Sequence, residues 1–341
     1  MINIRYKLIS PMQIIEEFVD EIVDQDEIVV RPKYLSICKA DQRYYQGTRD
    51  KSVLSKKLPL TLIHEAIGEV VYSKDPNFKV GSTVVMLPNI QDELSINKNI
   101  IKENYDVNSK FRGSTCDGFL QQNIVCKTNT VLTLPSDNIS LVFLELMSVV
   151  FNALDSFNKT ERKNMDSIAI YGDGSLAYIA SLVLHKMFPT TKTIVIGKRL
   201  EKLECFTFVD EKYTIDEIPS DLTYSHAFEC VGGLGSEVAI DQIIEKIEPQ
   251  GIACLLGVSE YSISINTRMI LEKGLHLIGN SRSSAEDFKE SIKFIEKNPD
   301  VLTYLNILIS DIVEINDVTD IDKAFMIDTT NCFKTVMEWN I

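Results

Sequence analysis

This sequence has few basic residues relative to acidic ones, no long uninterrupted apolar segment and no regular cysteine pattern. Lysine and arginine total 35 against 49 aspartates and glutamates, a net charge of −14, which argues against a general nucleic-acid-binding surface. The longest apolar run, Ile139–Phe151, is interrupted by Glu145 and is too short to span a bilayer. The seven cysteines form no secreted-type framework, and the start of the chain lacks the apolar core of a signal peptide. We therefore expect a cytoplasmic protein with reduced thiols and with no membrane or nucleic-acid partner.

The 341 residues are enough for two domains with cores of their own, and the predicted secondary structure changes along the chain. Up to about residue 135, β-like runs such as Ile28–Tyr34, Ala66–Tyr72 and Ser82–Leu87 alternate with turns, as in a small irregular β domain. From about residue 140, helical and strand patterns alternate. A long helix is predicted at Ala285–Lys297, followed by short elements that return to the first domain.

The clearest signal is a strand–turn–helix–strand pattern at Ser167–Arg199, the size of a βαβ unit. Strand-like runs at Ile168–Tyr171 and Thr193–Ile196 flank a turn that reads G-x-G-x-x-A. Its first glycine permits a tight turn, and its second lets backbone N–H groups approach a pyrophosphate at the helix N-terminus. We predict a dinucleotide site here, with these cofactor-binding residues: Gly172, Asp173, Gly174, Ser175 and Leu176.

The end of the second strand indicates which dinucleotide is preferred. NAD-binding folds usually place a carboxylate there to bind the ribose 2′-hydroxyl, but this strand ends in Gly197 followed by Lys198 and Arg199. Cations at this position can neutralise a 2′-phosphate. The sequence therefore favours NADP(H), with Lys198 and Arg199 as cofactor-binding residues; a solvated basic loop is the alternative.

Later strands end in loops that suit the same site. Strands are predicted at Ala227–Glu229, Ile252–Leu256 and Leu275–Ile278, and each ends in a loop containing glycine. Parallel sheets bind their ligands at the carboxyl ends of the strands. We therefore expect further cofactor contacts from these loops, at Cys230, Val231, Gly232, Gly257 and Val258.

Three residues in the first part of the chain form a candidate metal site. Cys38, His64 and Glu65 follow strand-like or turn signals, where side chains can converge, and the whole chain has only four histidines. A thiol, an imidazole and a carboxylate are suitable zinc ligands. Their spacing alone fits a buried cysteine and a core histidine as well, so both interpretations stay open at this point.

The order of these motifs resembles the zinc-dependent medium-chain dehydrogenase/reductase family. The motifs that carry the resemblance are Cys38 with Asp41, His64-Glu65 with Gly68, the segments 81–85 and 145–148, and the nucleotide turn. The resemblance implies an α/β chain in which a Rossmann doubly wound parallel sheet is inserted into a GroES-like irregular β domain. The Rossmann domain is then expected at 147–284, and the GroES-like domain at 1–146 and 285–341.

The resemblance also implies a ligand set and one departure in the mechanism. The metal ligands of the polyol-dehydrogenase branch carry over to Cys38, His64, Glu65 and Glu145, the last of them binding zinc directly or through water. One catalytic zinc is implied and no structural zinc, because residues 88–115 contain no cysteine.

The departure concerns the proton relay. The family's alcohol dehydrogenases have a hydroxyl side chain at the position of Ala40, which has none. We expect the proton to travel through water, the cofactor ribose or Tyr44 instead.

A closer resemblance is to the family of ribulose-5-phosphate reductases of bacterial teichoic acid and capsule synthesis. It is carried by Asp41–Asp50, Phe111-Arg112, Phe228–Gly233 and Leu256–Glu260. It implies NADPH-dependent reduction of D-ribulose 5-phosphate to D-ribitol 5-phosphate, the precursor of CDP-ribitol, and a functional pairing with a ribitol-5-phosphate cytidylyltransferase. Guanidinium groups bind phosphate in a fork, so the candidate substrate-phosphate ligands are Arg43, Arg49 and Arg112.

Two other functions are weighed against this one. A zinc polyol or alcohol dehydrogenase that oxidises an unphosphorylated sugar alcohol with NAD has no need of the cations at Lys198-Arg199. A metal-free quinone-reductase-like protein or nucleotide-binding scaffold normally lacks the Cys/His/Glu set. We also expect a homodimer formed through edge strands in Ser262–Asn280, as in the family; capping of those edges within the monomer is the alternative.

Overall fold

The chain divides into two units, one of which interrupts the other in sequence. A computed structural model describes residues 1–91, 101–161 and 164–341. The first unit comprises Met1–Glu145 and Ser283–Ile341, and the second comprises Leu146–Arg282. The boundaries expected from the sequence lie within two residues of this division.

The N-terminal part of the first unit consists mostly of short strands. Its elements are β1 (Ile2–Ser10), β2 (Gln13–Asp20), β3 (Glu27–Ser36), α1 (Lys39–Tyr45), α2 (Lys51–Lys57), β4 (Leu60–Thr61), β5 (Glu65–Tyr72), β6 (Thr83–Met86), β7 (Asn89–Ile90), β8 (Lys110–Phe111), β9 (Ile124–Lys127) and β10 (Val131–Thr133), with 3-10 turns at Glu103–Tyr105, Thr128–Thr130 and Ile139–Phe143.

The second unit alternates helices with strands, and the chain then returns to the first unit. The elements of the second unit are α3 (Leu144–Lys159, which begins two residues before it), β11 (Ser167–Tyr171), α4 (Ser175–Met187), β12 (Lys192–Gly197), α5 (Leu200–Leu203), β13 (Glu211–Thr214), β14 (Tyr224–Glu229), α6 (Gly235–Lys246), β15 (Ile247–Leu255), α7 (Thr267–Lys273) and β16 (His276–Gly279). The returning segment contains α8 (Ala285–Lys297), α9 (Val301–Asn306), β17 (Ile309–Ile315), α10 (Val318–Asp328) and β18 (Lys334–Trp339).

The main sheet of the first unit places three distant segments side by side. Within the described residues its strand order is β10-β6-β5-β3-β18-β17, with β9 also paired to β3. Strand β3 therefore lies between β5 and the C-terminal strand β18, and Ser36 pairs with Glu65 on one side and Val336 on the other. Buried side chains such as Leu35 and Met337 form the core beneath. This arrangement brings the end of β3, the start of β5 and the start of β18 together.

The second unit is built on a parallel sheet. In the described part of the chain its strand order is β13-β12-β11-β14-β15-β16, and every neighbouring pair is parallel. Tyr171 pairs with Ile196 and with Glu229, and Glu229 pairs with Leu255. The nucleotide turn, the Lys198-Arg199 tip and the loops after β14 and β15 therefore lie at the same edge of the sheet. The predicted doubly wound parallel sheet is confirmed by this strand order.

One helical stretch is longer than the sequence pattern indicated. The 3-10 turn Ile139–Phe143 runs directly into α3, and Ile139–Lys159 is long and apolar enough to cross a membrane by length and composition alone. The sequence analysis judged the apolar run Ile139–Phe151 too short to span a bilayer, but the helix continues beyond it and Leu154 and Phe157 extend the buried face. Because 78% of its most apolar window is buried inside the protein, this stretch is a core helix.

Candidate metal centre and cofactor loops

Cys38 is positioned by the junction of β3 and α1. It is the N-cap of α1, with extended backbone angles, so its thiol stands where the strand ends and the helix begins. The third helical residue, Asp41, is completely buried, and its Oδ2 accepts a hydrogen bond from the backbone N–H of Cys38 at 3.1 Å. This capping interaction fixes the backbone that carries the thiol.

His64 and Glu65 are positioned by a strained residue that precedes them. Ile63 adopts a left-handed backbone with φ of 70°, which is costly for a β-branched side chain. Both of its backbone groups are held, since Asp41 Oδ1 accepts from the N–H at 3.0 Å and the carbonyl accepts from Phe119 at 2.8 Å. Asp41 therefore holds the backbone at both ligand segments, and it also lies 3.6 Å from His64 Nδ1.

The structure brings the three predicted ligands into one group. One ligand atom from each of Cys38, His64 and Glu65 lies within 4.8 Å of the other two. Both His64 and Glu65 are buried. Burial lowers the pKa of His64, but the charges of Asp41 and Cys38 outweigh it and hold that pKa well above its ordinary value.

A lysine that the sequence analysis missed holds one oxygen of Glu65. Lys334, at the start of β18, is almost completely buried, and its Nζ donates to Glu65 Oε1 at 2.8 Å and to the Ile37 carbonyl at 2.9 Å. Burial lowers the pKa of Lys334, but the Glu65 and Cys38 charges more than reverse this effect and raise it. A lysine at the start of a strand that carries Val336, Met337 and Trp339 was the signal that could have identified it.

The remaining donor atoms fit a metal ion. Glu65 Oε2 and His64 Nδ1 are buried and have no hydrogen-bond partner among the described residues. Leaving such a group unsatisfied costs about 1–3 kcal/mol, and a cation bound by the group would remove that penalty for the carboxylate. Thiolate, imidazole and carboxylate are the donor set of catalytic zinc sites, which use three protein ligands and keep a fourth position open. The residues therefore fit a zinc ion.

Glu145 lies outside this group of three but within its electrostatic reach. It stands in the first turn of α3 and is 5% exposed. Burial, reinforced by the Glu65 charge, raises its pKa to about 7, while the His64 and Lys334 charges oppose that rise. Its role as a fourth ligand, direct or through water, stays a prediction.

Of the residues predicted for the proton and the phosphate, Tyr44, Arg43 and Arg49 lie on or near α1, whereas Arg112 follows β8. Tyr44 is buried, and the Arg49 guanidinium lies 4.3 Å from the centre of its ring. Arg43 is in the last turn of α1, the helix that Cys38 caps. The Arg112 guanidinium donates to two backbone carbonyls, those of Asp117 and Val125, both at 3.4 Å. Their roles stay predictions.

The nucleotide turn has the geometry that its glycines require. Gly172 has φ of 134°, and a Cβ there would lie 3.1 Å from the Ala177 side chain, which explains why a small residue stands at each position. Gly174 is the N-cap of α4, and a Cβ there would meet none of the described residues within 4 Å. The glycine therefore leaves space for a pyrophosphate to approach the backbone at the helix N-terminus.

The Asp173 carboxylate in the nucleotide turn binds Lys198 and Arg199, the two residues that follow β12. Its Oδ2 accepts from the backbone N–H groups of Lys198 and Arg199, at 2.9 and 2.8 Å, and its Oδ1 accepts from Arg199 Nη2 at 2.8 Å. Burial raises the pKa of Asp173, but the Arg199 and Lys198 hydrogen bonds dominate and lower it. A Cβ at Gly197 would lie 2.8 Å from Asp173 Cβ, so no carboxylate side chain fits at the strand end.

Two further loops extend the same edge of the sheet. We name residues 230–233, after β14, the first cofactor loop, and residues 256–259, after β15, the second cofactor loop. Gly232 and Gly233 have φ of 67° and 60°. The side chains of Val231 and Val258 are exposed. A buried carboxylate, Glu229, joins the two loops. The sequence analysis identified it as the end of a strand and as part of the segment Phe228–Gly233, but assigned it no role.

Comparisons with known proteins agree with this architecture. The family model for the alcohol dehydrogenase GroES-like domain matches residues 24–136, and the model for the glucose dehydrogenase C-terminus matches residues 140–339. The chain is 44% identical to the ribulose-5-phosphate reductase of Bacillus spizizenii over 345 residues, which cover 100% of both chains. It is also 44% identical to ribulose-5-phosphate reductase 2 of Staphylococcus aureus, again over 100% of both. The crystal structure of S. aureus TarJ in complex with NADPH matches with a TM-score of 0.88 at 39% identity, covering 100% of both chains.

Proposed function

The chain belongs to the medium-chain dehydrogenase/reductase family, among the ribulose-5-phosphate reductases, and we propose that it reduces D-ribulose 5-phosphate to D-ribitol 5-phosphate with NADPH. The observation that carries this proposal is the 44% identity to such reductases over the full length of the chain. The Cys38/His64/Glu65 group and the nucleotide turn supply the parts that a zinc-dependent hydride transfer needs.

NADPH is the cofactor. Its pyrophosphate binds at the N-terminus of α4, where Gly174 leaves the backbone N–H groups accessible. Lys198 and Arg199 neutralise the 2′-phosphate. The close packing around Gly197 leaves no space for the carboxylate side chain that an NAD-binding strand carries. The NADPH complex of S. aureus TarJ, a structural relative at 39% identity, supports this assignment.

The reaction moves a hydride from the dihydronicotinamide to C2 of the ketose and a proton to its oxygen. A zinc ion bound by Cys38, His64 and Glu65, with Glu145 as a direct or water-mediated fourth ligand, would supply Lewis-acid polarisation of the C2 carbonyl. Asp41 holds the backbone of both ligand segments, and Lys334 fixes the orientation of Glu65. These contacts keep the donor atoms in place throughout the cycle.

The proton takes a route other than that of the alcohol dehydrogenases, since Ala40 has no hydroxyl. We assign the relay to water, the cofactor ribose or Tyr44. The Tyr44 ring is held under the Arg49 guanidinium, whose central carbon lies 4.3 Å from the ring centre.

Arg43 and Arg49 bind the substrate phosphate, with Arg112 as a third candidate. Arg43 lies five positions after Cys38 on the helix that Cys38 caps, so their backbones are about 8 Å apart along the helix axis. Arg112 also holds two backbone carbonyls, so its loss disturbs a loop as well. Arg43 is therefore the sharper test of phosphate recognition.

The product serves as the precursor of CDP-ribitol for teichoic acid or capsule. This function pairs the protein with a ribitol-5-phosphate cytidylyltransferase in the cytoplasm. The protein acts as a homodimer, joined through β16, which is one of the two edge strands of the parallel sheet among the described strands.

The test is oxidation of NADPH by D-ribulose 5-phosphate, followed by absorbance, before and after removal of metal with a chelator. We expect turnover that chelation abolishes and added zinc restores. Free D-ribulose and NADH serve as matched controls for the phosphate on each reactant, and we expect both to be much poorer reactants.

Two results would contradict the proposal in different ways. Turnover of free polyols with NAD, and none with the phosphorylated ketose, would indicate the polyol dehydrogenase instead. Turnover that persists in protein shown by metal analysis to be free of zinc would indicate the metal-free alternative.

A further inference from the structure

Glu229 is a completely buried carboxylate to which the reaction assigns no role. It is the last residue of β14 and has 0% of its surface exposed. A buried carboxylate is strongly unfavourable unless donors satisfy it. Glu229 meets this requirement entirely within the second unit, with hydrogen bonds from three different elements.

The donors come from both cofactor loops and from the helix between them. Glu229 Oε1 accepts from the backbone N–H groups of Val231 and Gly232, at 2.9 and 3.0 Å, in the first cofactor loop. The same oxygen accepts from the Ser236 hydroxyl, in the first turn of α6, at 3.0 Å. Glu229 Oε2 accepts from the backbone N–H of Gly257, in the second cofactor loop, at 2.9 Å.

The two loops contact each other closely around this carboxylate. The N–H of Gly233 donates to the Val258 carbonyl at 3.0 Å, and the Ser259 hydroxyl donates to the Gly233 carbonyl at 3.1 Å. A Cβ at Gly257 would lie 2.5 Å from both oxygens of Glu229. A side chain at position 257 would clash with the carboxylate, so the second cofactor loop packs directly against Glu229.

We infer that Glu229 is the positioning residue of the nicotinamide cofactor, because it holds the two cofactor loops at one fixed separation. This inference rests on the proposed function only in that NADPH binds at these loops. The side chains of Val231 and Val258 are exposed and so are available to the cofactor. The backbone N–H of Val231 donates to Glu229, and the backbone carbonyl of Val258 accepts from Gly233.

Only a carboxylate satisfies this set of donors. Its two oxygens accept on all sides, whereas glutamine offers one oxygen and one NH₂ group. In Glu229→Gln, which has nearly the same shape, the NH₂ group faces at least one backbone N–H, either that of Gly257 or those of the first cofactor loop. That N–H loses its partner, and the two loops separate.

The experiment compares E229Q and E229D with the parent protein and with D210N. Asp210 is a matched control because its carboxylate accepts the N–H of Thr193 at 2.7 Å, at the amino end of β12 in the same unit. Affinity for NADPH is measured by titration of cofactor fluorescence without substrate. Hydrogen exchange is measured in the peptides that contain the two cofactor loops, without cofactor or substrate.

We expect E229Q to exchange faster in both loops, and its dissociation constant for NADPH to rise about tenfold. The KM for D-ribulose 5-phosphate at saturating NADPH stays within about twofold, because its ligands lie in the other unit. E229D, which keeps the charge but is too short to reach both loops, changes in the same direction and serves as the test if E229Q does not fold.

Parent-like exchange and parent-like NADPH affinity in these variants would overturn the inference, as would an equal loss of affinity in D210N. Failure of the proposed function is recognised separately. A parent protein that binds NADPH but does not reduce D-ribulose 5-phosphate would refute the substrate, whereas loop exchange and NADPH affinity would still measure the role of Glu229.

Discussion

Replacing Lys334 with methionine tests the buried ion pair beneath the candidate metal centre. The side chains of Lys334 and Glu65 are 7% and 0% exposed, and Nζ lies 2.8 Å from Oε1. Lys334→Met keeps most of the length of the side chain but leaves the Glu65 carboxylate buried without a partner. Removing one member of a buried pair typically costs about 3–5 kcal/mol, and the Ile37 carbonyl also loses its donor. We therefore expect K334M to lower the free energy of unfolding of the first unit by about 3 kcal/mol or more.

The chain offers a direct probe for this measurement. Its single tryptophan, Trp339, lies on the same strand as Lys334 and is buried, so urea unfolding followed by tryptophan fluorescence reports on the first unit. Lys33→Met is the matched control, because Lys33 forms an ion pair of the same length with Asp137 but is 37% exposed. Such exposed pairs contribute about 1 kcal/mol or less.

Metal content supplies a second comparison. In protein stripped of metal, Lys334 is the cation that hydrogen-bonds Glu65, and the penalty of K334M is expected to be at its largest. In zinc-loaded protein the cation also neutralises the carboxylate, so the penalty should shrink. The double variant K334M/E65Q should recover much of the loss, because it leaves no buried charge behind. If K334M lowers the free energy of unfolding of the metal-free protein no more than K33M does, Lys334 and Glu65 do not form a buried ion pair that stabilises the fold.

Further predictions concern the cofactor, the phosphate and the metal. Arg199→Ala should lower kcat/KM for NADPH about 10- to 100-fold, because the substitution removes a charged hydrogen bond to the 2′-phosphate. It should lower kcat/KM for NADH far less. An equal loss for both cofactors would contradict this role. Asp173→Asn should destabilise the protein near neutral pH and progressively less in acid. The folded state lowers the pKa of Asp173, so the ionised carboxylate stabilises the fold, and this stabilisation is lost as the pH falls through the lowered pKa. Thermal unfolding of both proteins across a range of pH measures the difference. Arg43→Ala should raise the KM for D-ribulose 5-phosphate about tenfold and leave the KM for NADPH unchanged, whereas Arg268→Ala, at an exposed ion pair on α7, should change neither. Cys38→Ser should release zinc to a chelator faster than the parent protein, measured by metal analysis; unchanged retention would argue against this ligand.

Much of the fold was readable from the sequence because its signals are local. A glycine turn between a strand and a helix depends on residues close together in the chain, and β11, α4 and β12 lie where the pattern predicted them. The predicted helix Ala285–Lys297 is confirmed with both ends unchanged. Residue types alone also identified Cys38, His64 and Glu65 as candidate ligands, which the structure brings together.

The contacts that hold the site were decided only by the tertiary structure, because they join segments far apart in the chain. Lys334 reaches Glu65 across 269 positions, and it does so because β3 lies between β5 and β18. The role of Asp173 depended on the strand tip 25 residues later, and that of Glu229 on a loop 28 residues later. Motifs determine which chemistry is available, whereas strand order and register decide which buried charges meet, since the free energy of a buried charge depends on all of its neighbours in space.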